Sequence, residues 1–207
     1  MKIFIKICGI TSINDASAAV SSGADAIGLM MYKKSPRSIS LEKAVEISKA
    51  ISKKVLPIMV FANQTKDHVS TCLDAVPEAI PQFHGSEDSQ FCSSFKREFI
   101  KAIQVDKKTN FNQISKDFSK AKMLLFDTKD KNLLGGTGKT FHWGLITKEL
   151  KKPFILAGGL NSGNIESALT EVSCSGIDVS SGVESSLGKK DPDKIRKFVN
   201  KVRGFDG

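Results

Sequence analysis

Two residues able to move protons stand where apolar runs end: Cys8 directly follows Ile3–Ile7, and Asp127 directly follows Met123–Phe126. A thiol can take up a proton as a base if its pKa falls from about 8.5, so that thiolate is available near neutral pH. A carboxylic acid can donate one if its pKa climbs from the aqueous value of about 3.9. A small substrate held between such a pair could be deprotonated at one atom and protonated at another, which is isomerase chemistry. Taken singly, each residue has a plainer explanation, a buried thiol or a loop-capping aspartate. Further polar and glycine residues follow other runs: Ser35-Pro36-Arg37, His84-Gly85, Gly158-Gly159 and Ser180-Ser181-Gly182. The last two groups can offer amides and hydroxyls to a phosphate, although either alone reads as an ordinary turn.

The elements that must position these residues are legible as an alternation. Near-continuous apolar runs suit strands buried on both faces of a parallel sheet. They recur at Ile3–Ile7, Ala26–Met30, Val55–Phe61, Ala79–Phe83, Phe99–Val105, Met123–Phe126, Phe154–Ala157 and Ile177–Val179. Helical signals lie between them. Asn14, Ser40 and Thr65 are predicted N-caps, Ser86-Glu87-Asp88 and Ser162 precede apolar residues at helical spacing, and Pro192 opens the last helix. The stretch from Asn110 to Lys120 is the weakest helix, being short and polar. Eight strands alternating with seven or eight helices, at a repeat of roughly 25 residues, predict an α/β fold: a single (β/α)₈ TIM barrel over 1–207 with a parallel eight-stranded core. An open doubly wound sheet is the alternative. In a barrel the βα loops at the C-terminal strand ends carry function, and the polar residues above all fall there.

Composition bounds the rest. The chain has 207 residues, 40% hydrophobic and 26% charged, as expected of a soluble globular domain. No apolar run is long enough to span a bilayer and no secretory-signal layout is visible, so a cytoplasmic location without membrane association is expected. Cys8, Cys72, Cys92 and Cys174 form no CxxC pair and the three histidines show no zinc spacing, so no metal is expected. The net charge of +9 is spread along the chain without interleaved aromatics. A solvated basic surface that draws in an anionic small molecule fits better than nucleic-acid binding. Gly138-Lys139-Thr140 matches the end of a Walker A motif, but Leu133 stands where its first glycine belongs and no strand leads directly into it. A glycine loop able to close over substrate is the better reading of Gly135-Gly136-Thr137-Gly138.

Taken together, Lys6-Ile7-Cys8-Gly9-Ile10-Thr11, Ser35-Pro36-Arg37, Gln82-Phe83-His84-Gly85, Asp127 with Gly135-Gly136-Thr137-Gly138, Ala157-Gly158-Gly159-Leu160 and Asp178-Val179-Ser180-Ser181-Gly182-Val183-Glu184 resemble the phosphoribosylanthranilate isomerases of tryptophan biosynthesis. The match runs in order from Lys2 to about Val202. The resemblance implies an Amadori rearrangement of an anionic phosphosugar without a cofactor, by a monomer or homodimer. It assigns general base to Cys8 and general acid to Asp127. It assigns the anthranilate carboxylate to Arg37, with His84, Gly136 and Asp178 also binding substrate, and phosphate to Gly158, Gly159, Ser180, Ser181 and Gly182. Two departures stand out: Phe83 where the family usually has Leu, a volume change beside the site, and His142 where it usually has Asp. The related aminoaldose isomerases of histidine synthesis are expected to pair two aspartates, which cysteine at position 8 argues against. A catalytically silent phosphate-binding or nucleic-acid-binding barrel is the alternative from another class, and intact Cys8 and Asp127 argue against it.

Overall fold

The computed structural model describes residues 2–51, 54–128, 143, 146 and 150–206. Eight parallel strands close on themselves in chain order: β1 (Phe4–Cys8), β2 (Ala26–Met30), β3 (Leu56–Phe61), β4 (Ile80–Phe83), β5 (Ile100–Val105), β6 (Met123–Thr128), β7 (Phe154–Leu156) and β8 (Gly176–Val179). Closure is made by β8 pairing with β1 from Phe4↔Gly176 to Ile7↔Val179. The expected barrel is therefore present, and the open sheet is excluded. Of the loop residues singled out in the sequence, Gly135–Thr140 (Gly136 among them) and His142 lie outside the described residues.

Strand pleating sends alternate side chains to opposite faces, and here it divides the core in two. One cluster (Ile58, Val60, Ile80, Ile100, Ala102, Leu125, Ile155) fills the barrel interior together with Cys8. The other (Ile5, Ile7, Ile27, Leu29, Phe61, Phe83, Leu124, Phe126, Ile177, Val179) packs outward against the helices. Phe83 belongs to this outer layer. It is fully buried, stacked on Phe95 at 5.6 Å and edge-on to Phe91 and Phe99. The extra ring volume at position 83 is thus spent beneath the helix that follows β4, not beside the site.

Among the described residues the helices are α1 (Ile13–Ser21), α2 (Leu41–Ala50), α3 (Lys66–Ala75), α4 (Ser89–Ser93), α5 (Phe111–Asp117), α6 (Ile165–Glu171) and α7 (Pro192–Arg203). Ser40 and Thr65 cap as expected, accepting from Lys43 N and His68 N. Elsewhere the caps differ by a few residues. Ser12, not Asn14, accepts from Asp15 N and starts α1, Asp88 caps α4, and Asn164, not Ser162, stands at the N-cap of α6. Asp191 caps α7, with Pro192 in its first turn. No described helix is long and apolar enough to cross a membrane.

Glu87, which precedes α4 in the sequence, turns back to the loop backbone. It accepts from Asn63 N at 2.7 Å and Gly85 N at 2.9 Å and pairs with buried Lys101 at 3.0 Å. Lys101 also donates to Gly85 O at 2.7 Å. This clamp ties the loops after β3 and β4 to β5 and so fixes the backbone that carries His84. Breaking such a buried pair typically costs about 3–5 kcal/mol.

Candidate active site

At the C-terminal rim the pleat selects which polar side chains enter the barrel. In β1, Ile5 and Ile7 face the helices, so Lys6 and Cys8 face inward. The same parity turns Gln82 and His84 inward from β4, Asp127 from β6 and Asp178 from β8. Asp127 lies within β6 rather than after it, paired with Gln104 of β5. It stands three strands round from Cys8, along β6-β7-β8-β1. Cys8 and Asp127 are each 6% exposed, so both proton-handling groups sit in a mouth largely closed to water.

Asp127 has a neighbour. His84 Nε2 stands 3.2 Å from its Oδ2, out of line for a hydrogen bond, so the contact is electrostatic. On the other side of the ring, Gln82 Nε2 lies 3.0 Å from His84 Nδ1. With the fully buried Gln82 amide donating there, a neutral imidazole carries its proton on Nε2, toward the carboxylate. Sequence reading assigned Gln82 no role.

Cys8 shares its end of the barrel with charge. Lys6, fully buried, pairs with Asp178 at 3.0 Å, while Asp178 Oδ1 is buried with no partner among the described residues. Burial pushes the Cys8 thiol up. Lys6 pulls it down, Asp178 pushes it up and Lys190 pulls it down, and the net result is a raised pKa. The lowered pKa expected from the sequence is therefore corrected: desolvation in the barrel mouth outweighs the cations.

Arg37, in the loop after β2, is held by a carboxylate of the protein itself. Its Nε and Nη2 clamp Glu184 at 2.7 and 2.8 Å, and Lys190 Nζ meets the same carboxylate at 2.8 Å. The Nε–Nη2 edge of the guanidinium is thus occupied, and no acceptor among the described residues takes Nη1. Hydrogen bonding to Glu184 raises the pKa of Arg37 against the opposing effect of burial. Burial would raise that of Glu184, but Arg37 and Lys190 bring it below the usual carboxylate range. Glu184 opens a short hairpin, β9 (Glu184–Ser186) with β10 (Lys189–Lys190). That hairpin holds Arg37 from a distance of 147 residues in sequence, so neither Glu184 nor Lys190 was recognisable as its partner.

After β7, Gly158 and Gly159 take left-handed backbone, φ 87 and 66. After β8, Ser181–Val183 form a single 3₁₀ turn. No acceptor among the described residues takes the N–H groups of Gly158, Gly159, Ser181 or Gly182. Gly182 passes so close to the β7 loop that a methyl group there would overlap Leu160 O at 1.9 Å. The two loops therefore stand side by side with amides to offer an anion.

The sequence profile described as N-(5'phosphoribosyl)anthranilate (PRA) isomerase matches residues 5–201. The chain belongs to this family. N-(5'-phosphoribosyl)anthranilate isomerase of Pseudomonas fluorescens (strain SBW25) is 44% identical over 202 residues, covering 98% of this chain and 96% of the relative. The phosphoribosyl anthranilate isomerase of Thermotoga maritima superposes with a TM-score of 0.87 at 35% identity, over 98% of this chain and 100% of that one. A phosphoribosyl anthranilate isomerase solved in complex with reduced 1-(o-carboxyphenylamino)-1-deoxyribulose 5-phosphate superposes at 0.84 with 34% identity, over 98% and 100%. Every strand of the phosphoribosylanthranilate isomerase barrel described above except the first residue of β1 lies within the matched span.

Proposed function

We propose that this chain, acting in the cytoplasm as one barrel domain, isomerises N-(5-phosphoribosyl)anthranilate to 1-(2-carboxyphenylamino)-1-deoxyribulose 5-phosphate, with Cys8 as general base and Asp127 as general acid. The observation that carries the assignment of roles is the placement of both groups, inward and almost fully buried, on different sides of one barrel mouth. Asp127 gives its proton to the ribose ring oxygen as the C1′–O bond breaks, leaving a Schiff base between C1′ and the anthranilate nitrogen. The Cys8 thiolate then takes the C2′ proton. The C2′–H electron pair becomes the C1′=C2′ bond, the C=N pair moves to nitrogen, and the enolamine tautomerises to the aminoketose. His84, 3.2 Å from Asp127, steadies the carboxylate left after donation. Asp178 Oδ1 is the natural acceptor for a sugar hydroxyl, since a buried oxygen without a donor is costly.

The phosphate is taken by the amides of Gly158, Gly159, Ser181 and Gly182 with the hydroxyls of Ser180 and Ser181. Gly182→Ala should raise KM strongly, because the methyl collides with backbone and not with a yielding side chain. Inorganic phosphate should inhibit competitively in the wild type, with its Ki raised in the variant. Equal phosphate inhibition in both proteins would move the anion elsewhere.

Arg37 meets the anthranilate carboxylate through Nη1, its Nε and one Nη2 donor being held by Glu184. Arg37→Ala should weaken binding of the natural substrate by about 1.5–3 kcal/mol, the range for a hydrogen bond to a charged group. An analogue lacking the carboxylate should bind the two proteins alike, and equal losses for both compounds would count against the role. The reaction itself is tested by ¹³C NMR with substrate labelled at C2′. The label should become a ketone carbon, whereas release of anthranilate by hydrolysis would contradict the isomerisation.

A further inference from the structure

Lys6 is a lysine with no solvent exposure, two residues before Cys8 in the same strand. The pleat puts the two side chains on one face. Their contact can be read from Gly28, in register with Cys8 on β2: a methyl group there would lie 2.6 Å from Cys8 Sγ and 3.1 Å from Lys6 Cε. The thiol and the end of the lysine stem therefore border the same small space. The ammonium reaches across to Asp178, its register partner on β8, at 3.0 Å. An apolar side chain would fill this interior position without burying a charge, and ion pairs of this kind seldom add net stability. The pair thus calls for a role other than packing.

We propose that Lys6 is a positioning residue for the general base, its ammonium holding the Cys8 thiolate against the effect of burial while Asp178 holds the ammonium. This rests on the reading of Cys8 as the base. Four charged groups face the thiol: Lys6 from β1, Asp178 from β8, Lys190 from β10 and Arg37 from the loop after β2. Arg37 and Lys190 are both drawn to Glu184, and burial lowers the pKa of Lys190. Lys6 is the stronger influence. Burial works to lower its own pKa, but Asp178 and Cys8 raise it by more, so it stays charged, and the end of its stem borders the same space as the thiol. When Cys8 takes the C2′ proton the thiolate charge disappears, and the Lys6–Asp178 pair remains as the local neutral unit.

The test follows alkylation of Cys8 by iodoacetamide against pH in the full-length free protein, read on the Cys8 peptide by mass spectrometry. Lys6→Gln should move the midpoint upward by about one unit or more, a roughly tenfold slower reaction at any pH below it. Asp178→Asn should move it downward, because a negative neighbour is gone. The double variant strands no buried charge and its midpoint should lie above that of Asp178→Asn alone. This comparison stands even if Lys6→Gln alone fails to fold. The acidic limb of kcat should follow the midpoint in Lys6→Gln with KM little changed, and Lys6→Arg should restore part of the shift. An unmoved midpoint in Lys6→Gln, shifts of one sign in both single variants, or a double variant no higher than Asp178→Asn would overturn the proposal. Alkylation reports the thiol's ionisation without any turnover. Failure of Cys8 as base would instead appear as activity retained in Cys8→Ala.

Discussion

Asp127→Asn keeps the shape of the side chain and removes its transferable proton, so turnover of the ring-closed substrate should fall below a tenth of the wild-type rate. General acid catalysis typically contributes about 10²–10⁴-fold, and a loss smaller than tenfold corresponds to less than roughly 1.4 kcal/mol in the barrier. Steady-state rates at saturating substrate decide the matter. A variant retaining more than about a tenth of kcat would remove Asp127 from the role of acid, and His84, 3.2 Å away, would then be the next candidate. Because the acid acts in the transition state, kcat should carry most of the loss and KM little of it.

Cys8→Ala should be as severe, since the groups that face Sγ are engaged elsewhere, Lys6 with Asp178 and Arg37 and Lys190 with Glu184. Turnover should drop by orders of magnitude while substrate still binds. The direction of the pH dependence follows from the raised thiol pKa. Thiolate is the active form, and it is scarce below the pKa and abundant above it. Activity in the wild type should therefore climb through neutral pH toward the alkaline side, rather than reach a plateau in the acid range. A profile already flat from mildly acidic pH upward would contradict the raised thiol. Near-normal turnover in Cys8→Ala would remove the base.

Much of this architecture was legible because a parallel barrel writes each strand as a short apolar run. All eight runs coincide with strands to within two residues at either end. Loops after strands are equally legible, because Gly158-Gly159 and Ser180-Ser181-Gly182 interrupt those runs with residues of unusual backbone freedom or polarity. Charged residues within strands were harder. Lys6 looked like an interruption of Ile3–Ile7, and Asp178 entered only through a motif. Counting in twos from Cys8 would have turned Lys6 inward, and counting back from His84 would have done the same for Gln82. Long-range pairing left no local trace. Arg37 with Glu184, and Lys6 with Asp178, are separated by 147 and 172 residues. The same limit misjudged the Cys8 thiol, since its pKa depends on how much water the closed barrel excludes and not on its sequence neighbours. The N-caps erred for a local reason: Ser12, Asn14 and Asp15 all offer oxygens within one turn, and the one whose backbone is extended, Ser12, takes the role.

The most direct measurement is the loss of N-(5-phosphoribosyl)anthranilate fluorescence on addition of the purified full-length protein, run side by side for the wild type, Cys8→Ala and Asp127→Asn. The account predicts rapid loss with the wild type and, with either variant, loss slower than about a tenth of that rate. No acceleration by the wild type over buffer, or equal rates in all three proteins, would contradict it.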